Sequence, residues 1–169
     1  ARIPEDARIY LFRHAAGALR SQMADLIRAG ASTTPPSVLI ASLGKRVALF
    51  SVPGAFTPTC SAKHLPGFVE KASDLKAKGV DEIIGTAVND AFVMKAWADS
   101  QNAEEITFLA DGGGSFHKAI GLTMETADFG GLRSQRYAMI VDNGVVTLLN
   151  VEPPKTFEVS KAETILAAL

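Results

Sequence analysis

Short, nearly continuous apolar runs alternate along the chain with stretches whose apolar residues recur every three or four positions, a pattern that predicts strands separated by helices. Val47-Ala48-Leu49-Phe50-Ser51-Val52 is hydrophobic almost throughout, as in a strand covered on both faces, and predicts a central strand. Pro53-Gly54-Ala55-Phe56-Thr57-Pro58 ends it. A helical pattern begins near Thr59, and Pro66-Gly67 predicts a break or kink before Phe68, Val69, Ala72 and Leu75 carry the pattern on to Gly79. The unit then repeats, with a strand over 82–88, a helix from Ala91 to Ser100 capped by Asp90, and a short strand over 107–110. Phe92, Val93 and Trp97 are expected on the core face of that helix. Strands over 137–141 and 145–149 flank Asp142-Asn143-Gly144, a strong hairpin signal, and a last helix from Ser160 to Ala168 has Ser160 and Glu163 spaced as a capping box.

Before the central strand, Arg8-Ile9-Tyr10-Leu11-Phe12 has the content of an edge strand. Leu19, Met23, Leu26 and Ile27 form one stripe of an amphipathic helix from Ala15 to Ala29, closed by Gly30 and followed by the connector Ser32-Thr33-Thr34-Pro35-Pro36. Its polar face is only weakly basic, so it is expected to pack on its own domain rather than on a membrane. Two strand–helix units, a hairpin and a closing helix predict an α/β, thioredoxin-like fold, a mixed central β-sheet flanked by helices. At 169 residues, one domain over 1–169 is expected, with an extended N-terminal segment at about 14–36.

Composition narrows the classes. Hydrophobic residues at 47% and charged residues at 21% belong to a folding globular chain, and 17 Lys and Arg against 18 Asp and Glu leave no basic excess for nucleic acid or an anionic membrane. No run approaches the ~18 residues of a bilayer span, and no signal-like start is visible. The expected location is intracellular, in the cytoplasm, or in a plastid or mitochondrion where a leader has been removed. Gly112-Gly113-Gly114 lacks the continuation of a phosphate loop and is expected to be a turn, and His14 and His117 have no partners at ligand spacing, so no metal and no cofactor are expected.

One cysteine, Cys60, changes the picture most, because a lone thiol excludes a disulfide, a CxxC pair and a multi-cysteine metal site within this sequence. Its placement, in the first turn of a helix beyond the carboxyl end of a central strand, is where α/β folds collect ligands and where unpaired N–H groups and the helix dipole favour an anion. Free thiols titrate near ~8.5, and helix starts or nearby cations commonly bring them to roughly 3.5–7.5. Lone cysteines are more often small buried hydrophobes, but Pro53, Thr57, Pro58, Thr59 and Ser61 around this one are turn and capping types. His64, four residues on, invites a Cys-His dyad, for which the sequence offers no obvious orienting acid.

Val52-Pro53-Gly54-Ala55-Phe56-Thr57-Pro58-Thr59-Cys60-Ser61, followed by His64-Leu65-Pro66-Gly67-Phe68, resembles the active-site signature of the type II (atypical, type 5-like) peroxiredoxins, above all their plant members. The resemblance runs from Lys45 to Leu169 through Val88-Asn89-Asp90, Phe108-Leu109-Ala110-Asp111-Gly112 and Arg136-Tyr137-Ala138, while the segment from about His14 to Pro36 is longer than the family's usual connection. It implies a peroxidase of hydrogen peroxide and organic hydroperoxides, with Cys60 the nucleophile, Thr57 a hydroxyl bonding peroxide and thiolate, Pro53 a pocket wall and Arg136 the activating cation. Backbone N–H groups of Thr59 and Cys60 would complete the substrate site, and Arg133 is the rival for the cation's place. A homodimer through the face around the active-site loop is also implied. The family's second, resolving cysteine is absent: Gly85 stands at the plant-type position, and Thr156-Phe157-Glu158-Val159-Ser160 holds no thiol. The resemblance then implies a one-cysteine cycle closed by an external thiol, glutathione with glutaredoxin, or thioredoxin. A stoichiometric redox sensor and a cysteine hydrolase using His64 are the competing readings.

Overall fold

The computed structural model describes residues 44–169, together with Ser42. The predicted strand 8–12, helix 15–29 and connector 32–36, and with them His14, lie outside the described residues. Strand β1, Arg46–Ser51, is the middle of a five-stranded sheet, as its apolar run predicts. Beside it run β2, Glu82–Ala87, and β3, Thr107–Ala110, both parallel, and on its other side antiparallel β6, Tyr137–Asp142, and β7, Val145–Val151, giving the order β3-β2-β1-β6-β7. Alternate residues of β1 serve two cores: Ala48 and Phe50 face one, Val47 and Leu49 the other. This is the mixed, thioredoxin-like sheet that the alternation of patterns predicts.

The stretch after β1 turns helical at Pro58 and makes one wide π-turn, Cys60–His64, before α1, Leu65–Glu70, and α2, Ala72–Ala77. Pro66-Gly67 does not interrupt it. Pro66 has no N–H for the Ala62 carbonyl, and the chain answers by widening the preceding turn, where Leu65 N–H reaches back five residues to the Cys60 carbonyl. The interruption falls at Lys71 instead, between α1 and α2. Leu65, Phe68, Ala72 and Leu75 enter the core that Phe50 faces, where Phe68 stacks on Phe50 at 4.3 Å between centroids.

Helix α3 spans Ala91–Ser100, and the Asp90 carboxylate accepts from Phe92 and Val93 N–H as a cap should. Met94 and Trp97 are buried and Val93 packs against them, but Phe92 is 87% exposed, on the opposite side of the helix from the core face expected for it. A short helix α4, Ser115–Ala119, covers the second core, and β4, Thr123–Glu125, pairs with β5, Leu132–Ser134, as a separate two-stranded ribbon. The 112–114 glycines lie in a tight turn, Gly114 N–H donating to the Asp111 carbonyl. In the β6–β7 hairpin Asn143 and Gly144 both take positive φ, 47° and 81°, the pairing a type I′ turn requires. The last helix, α5, is shorter than predicted, Ala162–Ala167, and Ser160 does not cap it: its hydroxyl donates to Glu152 at 2.8 Å. The N-cap falls one residue later, at Lys161, and the Ser160 hydroxyl is turned to the buried carboxylate in a charge-assisted bond.

Candidate active site

Cys60 lies one loop beyond the end of β1, fully buried, at the first turn of its helix. The first bond of that helix runs from Ser61 N–H to the Thr57 carbonyl, so the N–H groups of Thr59 and Cys60 lie ahead of it, where a helix has unpaired donors. The Thr57 hydroxyl donates to the Gly54 carbonyl at 2.8 Å rather than capping the helix, which pins the 54–57 turn. Pro53, half-buried, leads into that turn. On its other side the turn is tied to the chain after β2, Ala55 N–H donating to Asn89 Oδ1 at 2.9 Å.

Arg136 comes from the link between β5 and β6, 76 residues away in sequence, and its Nη2 donates to Cys60 Sγ at 3.3 Å. Its Nη1 lies 3.1 Å from His64 Nδ1. Proton bookkeeping settles the direction of this contact. His64 Nε2 faces the Ser160 carbonyl at 3.1 Å, an oxygen that can only accept, so Nε2 carries the hydrogen and Nδ1 offers its lone pair to the guanidinium. The ring is fully buried, and burial first, then the Arg136 charge, brings its pKa down from 6.5 to about 3 against smaller opposing effects of the Ser160 carbonyl and Glu152. His64 is therefore neutral at physiological pH with its one accepting nitrogen turned to Arg136, which removes the base a cysteine hydrolase would need. Arg133 does not compete: its Nη1 donates to the Val88 carbonyl at 3.1 Å. Among the described residues no carboxylate is in ion-pair contact with Arg136, so its charge is directed at the sulfur.

His64 gives a measurable consequence in acid. Above pH 6.5 its ring is neutral in folded and unfolded chains alike, and this contribution to stability is fully present. Below 6.5 only the unfolded chain takes up the proton, so stability falls as pH drops towards about 3, by up to ~1.4 kcal/mol per pH unit. Asp111 and Glu152, both held below their ordinary carboxylate values of 3.8 and 4.5, contribute losses only below those values, which isolates His64 in the range above them. Denaturant unfolding across that range should show the decline in the wild type and a flatter dependence in His64→Gln; the same slope in both would place the titrating group elsewhere.

A second polar cluster escaped the reading of the sequence. His117, which has no partner at ligand spacing, is buried with its Nδ1 at 2.7 Å from Asp111 and its Nε2 at 3.0 Å from Ser51 Oγ, and Ser51 in turn donates to Ser134 Oγ. Burial works to raise the Asp111 pKa, but hydrogen bonds from the His117 ring and N–H, the His117 charge and the Phe116 N–H outweigh it and hold it low. The order Ser51, His117, Asp111 has the look of a hydrolytic triad, yet the Ser51 hydroxyl donates to Ser134 Oγ and not to the His117 ring, so no base is placed to take its proton. Its use is structural. Ser134 passes the connection on to the Val52 carbonyl at 2.7 Å, joining the strand before Arg136 to the loop before Cys60. The spacing of Asp111 and His117 around three glycines was the available signal. Among the described residues no group of three or more His, Cys, Asp or Glu could hold a metal, and no helix is long and apolar enough to cross a membrane.

A buried thiol bonded by a guanidinium beside a thioredoxin-like sheet, with no second thiol in the sequence, is an arrangement suited to thiol chemistry at a single sulfur. The redoxin family model matches residues 22–166. Peroxiredoxin-2C of Oryza sativa subsp. japonica is 54% identical over 128 residues, covering 75% of this chain and 79% of that one. Among solved structures, reduced Prx3 from Vibrio vulnificus in complex with hydrogen peroxide is 70% identical with a TM-score of 0.77, covering 78% of this chain and 82% of that chain. The Plasmodium falciparum antioxidant protein, a 1-Cys peroxiredoxin, is 30% identical with a TM-score of 0.70, covering 74% and 78%. The chain belongs to the redoxin family, as a peroxiredoxin of the type II group. It is thus a thiol peroxidase, with a peroxide as substrate and a thiol as reductant.

Proposed function

We propose that Cys60 is the peroxidatic nucleophile of a one-cysteine peroxidase of hydrogen peroxide and organic hydroperoxides, restored by glutathione with glutaredoxin or by thioredoxin. The observation that carries this reading is the 3.3 Å bond from Arg136 Nη2 to Cys60 Sγ. A cation that close stabilises sulfur as the anion and faces the space where negative charge develops on the peroxide. The thiolate attacks the nearer peroxide oxygen, the S–O bond forms as the O–O bond breaks, and the leaving oxygen takes a proton to depart as water or an alcohol. Thr57, its hydrogen on the Gly54 carbonyl, keeps lone pairs to accept the peroxide O–H; the Thr59 and Cys60 N–H groups donate to its oxygens, and Pro53 walls the site from water.

The sulfenic acid left on Cys60 is closed by an incoming thiol in two steps: a mixed disulfide forms with loss of water, and a second thiol then releases Cys60. Gly85, at the position of the plant-type resolving cysteine, supports the need for an outside thiol, because a Cβ there would lie 2.8 Å from Phe108 Cε1 and 2.9 Å from Phe50 Cζ. Phe50 is fully buried and stacked on Phe68, so the partly exposed Phe108, edge-on to Trp97, is the ring that would have to shift. Gly85→Ala is accordingly expected to cost about 1–3 kcal/mol in urea unfolding through overpacking; an unchanged midpoint would mean that the rings move freely.

The homodimer proposed for this chain is supported by three exposed phenylalanines, Phe56, Phe92 and Phe129. Arg133 lies near the segments that carry them: its Nη1 donates to the Val88 carbonyl, and a Cβ added at Gly130 or Gly54 would meet its guanidinium. A single domain with an extended segment at about 14–36 and a cytoplasmic site, or an organelle after removal of a leader, complete the reading. The test is to oxidise the protein with one equivalent of peroxide, add glutathione and take an intact mass, then compare glutaredoxin- and thioredoxin-coupled turnover side by side. A glutathione adduct and sustained turnover support a one-cysteine cycle. Oxidation without turnover by any thiol would make Cys60 a stoichiometric sensor.

A further inference from the structure

The chain that leaves β7 folds around one carboxylate. Glu152 Oε1 accepts from Glu158 N–H at 2.7 Å, from Ser160 N–H at 2.8 Å and from Ser160 Oγ at 2.8 Å, and Oε2 accepts from Thr156 Oγ1 at 2.8 Å. The same residue's N–H donates to the Arg136 carbonyl at 2.9 Å. Glu152 is 7% exposed; burial works to raise its pKa, and the bonds from Ser160, Thr156 and Glu158 outweigh that and keep it ionised. One side chain thus closes the 152–160 segment into a loop whose two ends are both anchored.

Two groups of this loop reach the site. The Ser160 carbonyl accepts His64 Nε2–H, and the Phe157 ring lies 4.9 Å from the His64 ring with the Arg136 guanidinium 5.6 Å from its centroid. An arginine side chain loses much rotamer freedom when it is held in one pose, and the pose persists only if its partners are themselves fixed. His64 can aim its lone pair at Arg136 only while the Ser160 carbonyl holds the opposite nitrogen, and it stays neutral only while Phe157 keeps water from it.

We propose that Glu152 is a positioning residue for the peroxidase reaction. Its carboxylate gathers Thr156, Glu158 and Ser160 into a clasp that holds the Ser160 carbonyl and the Phe157 ring, and through them His64, in the arrangement that aims Arg136 at Cys60. The bond to the Arg136 carbonyl belongs to the Glu152 backbone; the carboxylate reaches the site through Ser160, whose N–H and hydroxyl it accepts and whose carbonyl accepts His64 Nε2–H. The other titratable groups around it are the neutral His64, Arg136, Glu158 and Lys161, whose Nζ lies 5.6 Å from the Phe157 centroid and pairs with Glu158.

The inference rests on Cys60 reacting with peroxide, so wild type, Glu152→Ala and Glu152→Gln are measured together by rapid mixing, with the fold monitored by thermal unfolding. In Glu152→Ala the second-order rate of Cys60 oxidation is expected to fall between about 10- and 100-fold, the scale of an ångström-sized misplacement. Its rate–pH profile should also gain an acid limb in the ordinary histidine range near ~6.5, as His64 becomes able to take a proton. Glu152→Gln should recover most of the rate, since the amide oxygen can accept from Glu158 and Ser160 while its NH₂ donates to Thr156. Should Glu152→Ala fail to fold, Phe157→Ala, which keeps the carboxylate cluster whole, should show the same acid limb. No reaction of the wild type with peroxide overturns the functional reading. A reactive wild type with equal rates and profiles in the variants, or with lowered stability and no other change, overturns the role of Glu152.

Discussion

With Cys60→Ser, peroxide consumption in the presence of any thiol donor is expected to fall to the rate seen without protein. The loss is complete because the sulfur is the atom that is oxidised: a thiolate gives up an electron pair to a peroxide oxygen, whereas a serine hydroxyl stays protonated at neutral pH and is a poor nucleophile without a base. Nor can a base be recruited, since His64 has turned its one free lone pair to Arg136. Serine is close to cysteine in shape, and Arg136 can donate to its oxygen as it does to Sγ, so the fold should be retained. Peroxide depletion followed in a coupled assay, beside an unfolding curve for each protein, separates the two effects. Turnover above background in a folded variant would locate the reacting group outside Cys60.

Arg136→Ala is expected to slow the oxidation of Cys60 by about 100- to 1,000-fold, the scale on which removal of one preorganised donor to a developing anion is felt. Two contacts of the guanidinium disappear together: its 3.3 Å bond to the sulfur and its 3.1 Å bond to His64 Nδ1. The leaving oxygen then develops its charge without a cation before it. Lysine should not restore the rate, because one guanidinium bonds Sγ and His64 Nδ1 with two nitrogens of a rigid plane, which an ammonium on a flexible stem cannot reproduce. Trp97, the single tryptophan, donates to the hydroxyl of Ser61 beside Cys60 and offers a fluorescence signal for rapid mixing. Arg133→Ala is the control, since its side chain bonds the Val88 carbonyl and not the sulfur; a larger loss there than at Arg136 would reverse the assignment.

Much of the fold was legible because it is written locally. The Asp90 cap, the boundaries of α3 and the Asn143-Gly144 turn each depend on residues within a few positions of one another, and each is found where the sequence places it. Errors arose where a tertiary partner outweighed a local signal. Ser160 and Glu163 have capping-box spacing, but the buried Glu152 carboxylate takes the serine hydroxyl. Pro66 should stop a helix, but the π-turn at Cys60–His64 accommodates it. Phe92 fits a core-facing stripe, but its side chain is turned to the surface. The ribbon of β4 and β5 has three residues a side, mostly half-exposed, too short for an alternating pattern to register.

By itself the sequence determined the architecture and the candidate nucleophile: the apolar runs order the strands, and the turn and capping residues around Cys60 put a lone thiol at a helix start. Only the tertiary structure decided what surrounds that thiol. Arg136 and Cys60 are 76 residues apart, and His64 has Ser160 as partner 96 residues away; no periodicity encodes such contacts. The direction of a proton on His64, the neutrality of its ring and the burial of Glu152 follow from which groups the folded chain removes from water together. Hydrophobic patterning is a property of neighbours along the chain, whereas hydrogen bonding and desolvation at a site are properties of neighbours in space.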